Sequence, residues 1–208
     1  MPRYFIAGTD TGVGKTHVTV ALLTAARLAG YSTLGLKPLA AGCEQAADGS
    51  WQNDDALALL AASTVAPGYQ EVNPVALPEA CAPHIAASLA GRRLSIAQLA
   101  GFCRGSLGRR VDLALIEGAG GWRVPVGERE LLSALPRELN LSVILVVGMR
   151  LGCINAALLT AEAILRDGLT LAGWVANVID PDMARLDENV QTLQQWLPAP
   201  CLGVLPWQ

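Results

Sequence analysis

The chain has 208 residues, 52% hydrophobic and 16% charged, and its 15 basic and 18 acidic side chains leave a net charge of −3. That supplies one sizeable core at a length that suits a single domain, and it excludes a disordered chain; the faintly acidic balance argues against a nucleic-acid or anionic-membrane surface. No apolar run approaches the roughly 18 residues of a spanning helix, and five scattered cysteines without a C-x-x-C pair oppose a disulfide framework or a structural zinc.

A strand over 4–7 opens the chain and reaches Gly8 too soon for a signal peptide, so reduced thiols and a cytoplasmic location are expected. A helix over 15–29 follows, with Gly30 suited to the position just past its end. A second strand over 32–36 runs directly into Lys37, and the polar stretch 42–52 leads into a helix over 54–62. Residues 65–83 carry Pro67, Pro74, Pro78 and Pro83 and read as loop with a short strand over 72–75. Next come helices over 84–89 and 95–107, a strand over 111–116, a Gly-rich loop and a helix over 130–139. The remainder alternates: strand 142–147, helix 154–166, strand 171–178, helix 185–196 and strand 201–205.

Strands this continuously apolar are buried on both faces. The expected fold is therefore α/β, a single domain over 1–208 with a mostly parallel sheet flanked by helices on both faces. Ligands of such sheets gather at the C-terminal strand ends, here after Ala7, Leu36, Ile116, Val147 and Asn177.

The first of those ends carries Gly8-Thr9-Asp10-Thr11-Gly12-Val13-Gly14-Lys15-Thr16. This is the phosphate loop G-x-x-x-x-G-K-[ST] with Thr9 at the first glycine position, in the strand–loop–helix context the motif requires. Backbone N–H groups of the loop and the helix N-terminus favour phosphate oxygens; Lys15 suits the β- and γ-phosphates, and the Thr16 hydroxyl suits Mg²⁺. Magnesium also takes one or two carboxylates. Glu117 stands at the tip of an apolar strand before Gly118-Ala119-Gly120-Gly121, and Asp112 at that strand's start reads as structural. Asp54 and Asp55 either cap the helix they open or serve the metal. Lys15 and Lys37 are the only lysines among the 15 basic residues, which marks both as positions that need a compact ammonium.

Together with Lys37-Pro38…Gly42, Asn53-Asp54-Asp55-Ala56-Leu57, Pro83-His84, Glu117-Gly118-Ala119-Gly120-Gly121-Trp122, Leu151-Gly152-Cys153-Ile154-Asn155 and Gly173-Trp174-Val175-Ala176-Asn177, this loop resembles the dethiobiotin synthetase family, in order from residue 4 to 207. The resemblance implies a P-loop NTPase-type domain. It also implies that 7,8-diaminopelargonate takes up CO₂ as a carbamate, which ATP phosphorylates before the second amine closes a ureido ring. It implies Lys37 and Lys15 as catalytic residues, and Thr16, Asp55 and Glu117 as metal ligands with Asp54 the alternative. Around the nucleotide it implies Gly12, Val13, Gly14, Lys15, Thr16, Asp55, Glu117, Gly118, Ala119 and Gly120, with Asn177, Pro206 and Trp207 at the base. His17 joins this set by position, although its side chain is expected to face away from the loop. Around the substrate it implies Thr11, Lys37 and Ala41, and, across a homodimer interface, the helix start Gly152, Cys153, Ile154 and Asn155.

Several positions depart from the family pattern. Ala41 stands where many relatives carry a hydroxyl, which removes one contact of about 0.5–1.5 kcal/mol; Gly12 replaces a frequent glutamate and Ala82 a small polar residue. Members usually continue beyond the position of Gln208 with a tail bearing a ribose contact, so weaker discrimination among triphosphates is expected. His84 reads as packed or capping as readily as catalytic, the tryptophans and cysteines read as packing, and Arg109, Arg110 and Arg123 read as solvated. Rival readings are a partitioning-type ATPase, which needs a signature lysine where Asp10 stands, a cobyrinate-type amide synthase, which needs a glutaminase domain, and a paralogue that binds nucleotide without turnover.

Overall fold

The computed structural model describes residues 2–65 and 67–207. Ten strands and eight helices alternate along these residues. The first half runs β1 (Arg3–Gly8), α1 (Lys15–Leu28), β2 (Thr33–Leu36), β3 (Leu39–Ala41), β4 (Glu44–Gln45), β5 (Trp51–Gln52), α2 (Asp54–Ala62), α3 (Tyr69–Val72) and β6 (Val75–Leu77). The second runs α4 (Pro83–Leu89), α5 (Ile96–Leu107), β7 (Leu113–Glu117), α6 (Ala134–Glu138), β8 (Ser142–Met149), α7 (Cys153–Arg166), β9 (Leu171–Val178), α8 (Leu186–Trp196) and β10 (Cys201–Leu205).

Six strands form one parallel sheet in the order β10-β9-β8-β1-β7-β2. Its central strands are buried along almost their whole length, as their unbroken apolar runs require. Side chains alternate between the two faces, so Phe5, Leu145 and Trp174 pack into one core and Ile6, Ile144 and Val175 into the other. Parallel order sends every crossover through a helix and aligns all six C-terminal ends on one edge.

Three stretches differ from the sequence expectation. Residues 72–75 do not form a strand: Tyr69–Val72 is a helical turn and Val75–Leu77 the strand, while Ala66 of that stretch lies outside the described residues. The turn is held by Glu71, whose carboxylate accepts the Gly68 N–H and the Arg109 guanidinium, and the strand exists because β3 supplies a parallel partner. The polar stretch 42–52 contains an antiparallel pair, β4 with β5. The helix expected over 130–139 shrinks to Ala134–Glu138, because the Pro136 ring tolerates only the first turn of a helix. The exposed aromatics also depart from expectation. On α8 Val190 and Leu193, with Leu197 at its C-cap, take the inward positions and leave Trp196 66% exposed; Trp207, beyond β10, is 55% exposed. Cys81 is exposed and Cys201 partly so.

Gly148 on β8 shows how the sheet seats the first loop. A Cβ there would lie 2.8 Å from Val13 Cγ1 and 2.7 Å from Ile179 Cδ1, so the missing side chain is what lets Val13 drop into the core. Gly148→Ala overpacks this contact and is expected to destabilise the fold by about 1–3 kcal/mol. The expected readouts are a lowered Tm and faster amide exchange over residues 9–14; an unchanged Tm with unchanged exchange contradicts this account.

Candidate active site

Beyond β1 the chain curls through Gly12 and Gly14, both left-handed at φ 73° and 81°, and enters α1 at Lys15. Only glycine fits at 14, because a Cβ there would stand 2.1 Å from Asn177 Nδ2. The opening N–H groups of α1 have no carbonyl a turn behind them and remain available to an anion. Asp10 stiffens the turn: one carboxylate oxygen accepts the Thr11 N–H at 2.7 Å and the other accepts Arg150 at 2.9 Å.

Lys15 folds back over this loop. Its Nζ donates to the Asp10 carbonyl at 3.0 Å and the Gly120 carbonyl at 2.6 Å, which leaves one of its three hydrogens for a ligand. Burial, and after it the neighbouring charge of Lys37, lower its pKa to about 8. Lys37 emerges at the end of β2 and is 4% exposed. Its Nζ lies 2.8 Å from Asp55 Oδ2 and 2.5 Å from Glu117 Oε1, with the Gly118 carbonyl at 3.4 Å. Burial disfavours this ammonium, but the Glu117 and Asp55 carboxylates outweigh burial and hold its pKa above the ordinary lysine value. Burial likewise pushes the Asp55 carboxyl up, and the Lys37 charge and the Thr16 hydroxyl outweigh it and hold it below the ordinary range. Thr16 Oγ1 donates to Glu117 Oε1 at 2.8 Å.

Thr16, Asp55 and Glu117 are thus brought together, whereas Asp54 is exposed. Asp112 is structural, accepting the backbone N–H and hydroxyl of Ser32. A cleft of about 800 Å³ opens over the cluster, and Thr11, Gly12, Gly14, Lys15, Thr16, Lys37, Ala41, Asp55, Glu117, Ala119 and Gly120 line it. Gly118 is buried and does not line the cleft, its carbonyl facing Lys37, and Val13 is buried beneath the loop. Asn177 is held behind the loop by its Nδ2, which donates to the Val13 carbonyl at 2.9 Å. His17 is half-buried on α1 and does not line the cleft. Nor do Gly152, Cys153, Ile154 and Asn155 at the start of α7, next to the 96% exposed Leu151, or Pro206 and Trp207 past β10.

Arg123 is not simply solvated. It stands on the cleft wall and pairs through both terminal nitrogens with Asp167, at 2.6 and 2.8 Å, while Trp122 Nε1 donates to the same carboxylate. No local pattern joins positions 123 and 167, so only the fold discloses this pair. Arg109 is likewise paired, with Glu71. Two buried oxygens of the site have no hydrogen-bond partner among the described residues, Glu117 Oε2 and Asn177 Oδ1. Such atoms are costly unless a ligand or ion completes them.

A parallel sheet whose first loop presents a lysine and a threonine–carboxylate cluster defines a P-loop nucleotide-binding protein. The chain shares this fold with the septum site-determining protein MinD of Pyrococcus horikoshii OT3, solved with Mg-ADP (TM-score 0.55, 18% identity, 98% of this chain and 81% of that one). It also shares it with a plasmid partition protein of Borrelia burgdorferi B31 bound to AMPPNP (TM-score 0.56, 11% identity, 100% of this chain and 87% of that one). A family model described as an AAA domain matches residues 2–208. An ATP-dependent dethiobiotin synthetase of Cellvibrio japonicus is 62% identical over 203 residues, 98% of this chain and 88% of the relative. One of Pseudomonas paraeruginosa is 58% identical over 206 residues, covering 99% and 90%. The chain belongs to the ATP-dependent dethiobiotin synthetase family.

The lowered pKa of Lys15 has a measurable consequence. Phosphates held beside Lys15 would favour its charged form and raise the pKa above the free value of about 8. On that placement, affinity for ADP is expected to be level between about pH 7 and 8 and to fall by up to tenfold per pH unit above it, with proton uptake on binding. Calorimetry in buffers of different ionisation enthalpy reads that uptake, and Lys15→Gln is expected to abolish it; a wild type with no uptake at pH 8.5 refutes the assignment.

Proposed function

We propose that the chain joins 7,8-diaminopelargonate and CO₂ at the expense of ATP, with Mg²⁺, as a homodimer in the cytoplasm. As a member of its family it is an ATP-dependent ligase that forms dethiobiotin in biotin biosynthesis. The observation that carries the detailed reading is the buried ammonium of Lys37, placed among acidic groups in the same cleft as the P-loop lysine.

The residues suit the ion. Thr16, Asp55 and Glu117 form an all-oxygen set of the kind a hard divalent cation prefers, and Glu117 Oε2 is a buried acceptor with no other partner among the described residues. Bound there, Mg²⁺ supplies charge neutralisation at the phosphates.

The chain's own groups account for the rest. The loop amides and Lys15 hold the triphosphate, and the remaining hydrogen of Lys15 meets a phosphate oxygen. Asn177 is fixed through its nitrogen, so its free oxygen is an acceptor suited to the exocyclic amine of adenine. One substrate amine adds CO₂ and loses a proton to give a carbamate. A carbamate oxygen attacks the γ-phosphorus, and ADP leaves. The second amine then attacks the carbonyl carbon; it loses a proton as phosphate departs and the ureido ring closes. Two ammonium groups at the junction lower the repulsion between carbamate and triphosphate and stabilise charge that spreads in the transition state. Ala41 on the cleft wall offers no hydroxyl to the substrate. The start of α7, on an exposed turn, is the group proposed to hold the substrate carboxylate across the dimer interface.

Incubation with diaminopelargonate, bicarbonate, Mg²⁺ and ATP is expected to yield dethiobiotin by mass spectrometry. Lys37→Gln is expected to abolish product while ADP affinity stays near wild type; a Lys37→Gln protein as active as wild type overturns the role given to Lys37. Asp55→Asn is expected to weaken Mn²⁺ binding measured by electron paramagnetic resonance, and Asp54→Asn to leave it unchanged. The reverse order reassigns the metal ligand.

A further inference from the structure

Lys37 sits on a seam. β2 ends one residue before it, Pro38 follows, and β3 pairs with β6 outside the main sheet, so the main-sheet ladder does not hold its peptide groups. Both are held instead by one short segment. The Lys37 N–H donates to the Val72 carbonyl at 2.9 Å, and the Lys37 carbonyl accepts Asn73 Nδ2 at 2.6 Å.

Asn73 is 2% exposed, and its amide is fully used. Nδ2 also reaches the Val75 carbonyl at 3.3 Å, and two carbonyl partners fix which end of the amide is nitrogen. Its Oδ1 accepts the Tyr69 hydroxyl at 2.9 Å. That hydroxyl in turn accepts the backbone N–H of Asn53 at 2.8 Å, and Asn53 is the N-cap of α2, two residues before Asp55. Asp55 Oδ2 closes the circuit on Lys37 Nζ. The ring therefore runs from the Lys37 backbone through Asn73, Tyr69, Asn53 and Asp55 to the Lys37 ammonium. It is anchored from outside by α5, where Ser106 Oγ donates to the Glu71 carbonyl, and by Arg109 just past that helix, which pairs with the Glu71 carboxylate.

We propose that Tyr69 and Asn73 are positioning residues for the reaction, which set the root of the Lys37 side chain and the carboxylate at its tip in one hydrogen-bonded ring. This rests on the reading of Lys37 as the group beside the reacting atoms. A lysine side chain has four rotatable bonds, and backbone placement alone leaves its tip free. The ring removes that freedom because the half-buried Tyr69 hydroxyl and the buried Asn73 amide fix the start of the lysine and the helix that carries Asp55. Burying the Asn73 amide carries a desolvation cost that an apolar side chain of similar shape avoids, so bulk packing is not what it serves.

The test combines kinetics with a spectroscopic reading of the ammonium itself. Lys15 and Lys37 are the only lysines, so ¹⁵N-lysine labelling gives one side-chain signal for each. Tyr69→Phe keeps the aromatic ring and removes one link. It is expected to lower kcat about tenfold, to leave the KM for ATP within about twofold, and to shift or broaden the Lys37 signal but not that of Lys15. Asn73→Asp keeps the acceptor for Tyr69 but turns the donor facing the Lys37 carbonyl into an acceptor, and it is expected to lower kcat about a hundredfold. If Asn73→Asp does not fold, Tyr69→Phe decides alone. Should Lys37→Gln be inactive while Tyr69→Phe retains wild-type kcat and an unmoved Lys37 signal, the ring has no positioning role. A parallel fall in Tm, kcat and ATP affinity, with both lysine signals altered, makes it merely structural and also overturns the proposal. Activity of Lys37→Gln equal to wild type instead removes the reading on which it rests.

Discussion

The site depends on one electrostatic arrangement, an ammonium held out of water between two carboxylates. The Lys37–Glu117 pair, buried at both ends, gains about 4 kcal/mol at an effective dielectric of 20, while removing each of these two ions from water costs several kcal/mol; the half-exposed Asp55 is screened by solvent and adds less. The two sides are comparable, so the cluster adds little net stability. It persists only if the fold fixes its geometry closely enough for every attraction to be realised. The residues that matter most after the charges are therefore those that fix position: β7, which delivers Glu117; α2, which delivers Asp55; and the seam after β2, which delivers Lys37.

A parallel sheet buried on both faces is well suited to that demand. Its strands cannot slip by one residue without turning a whole apolar set to the wrong face, so strand tips are fixed along the sheet. Lys37 and Glu117 stand at the tips of adjacent strands paired in register, Leu36 opposite Ile116. On the other side of β1, β8 supplies a glycine where Val13 must enter the core, and β9 supplies Asn177 where only a glycine can pass in front of it. Small residues in the sheet and loop thus do as much for the phosphate site as the charged ones.

What the sequence disclosed follows the range of the interactions. The phosphate loop, the helix after it and the strand ends are set by neighbours in the chain, and composition and spacing were enough to find them. Asp55 and Asp54 were separable only by resemblance, because both lie in one helical turn and either can cap it; the fold separates them by turning one to the cleft. The stretch around Tyr69 and Asn73 read as proline-rich loop because its order comes from afar. Glu71 is tied to α5, Tyr69 to the α2 cap and Asn73 to Lys37, none of them a periodic signal. The Arg123–Asp167 pair escaped for the same reason, and the helix expected from residue 130 was shortened by a proline whose effect depends on which turn it occupies.

The scarcity of lysine acquires a physical meaning once the hydrogens are counted. An ammonium offers three donors in a tripod around one atom, and Lys37 directs its three toward Asp55, Glu117 and the Gly118 carbonyl, which come from three directions. A guanidinium offers five donors in one plane and cannot converge on such a set from a single point. Lys15 uses two hydrogens on the carbonyls of Asp10 and Gly120 and keeps the third. Where the fold needs a flat, two-pronged grip it uses arginine, as Arg123 shows against Asp167. The division between the two basic side chains therefore follows the shape of the acceptor set: a tripod inside the cleft, and a fork on its wall.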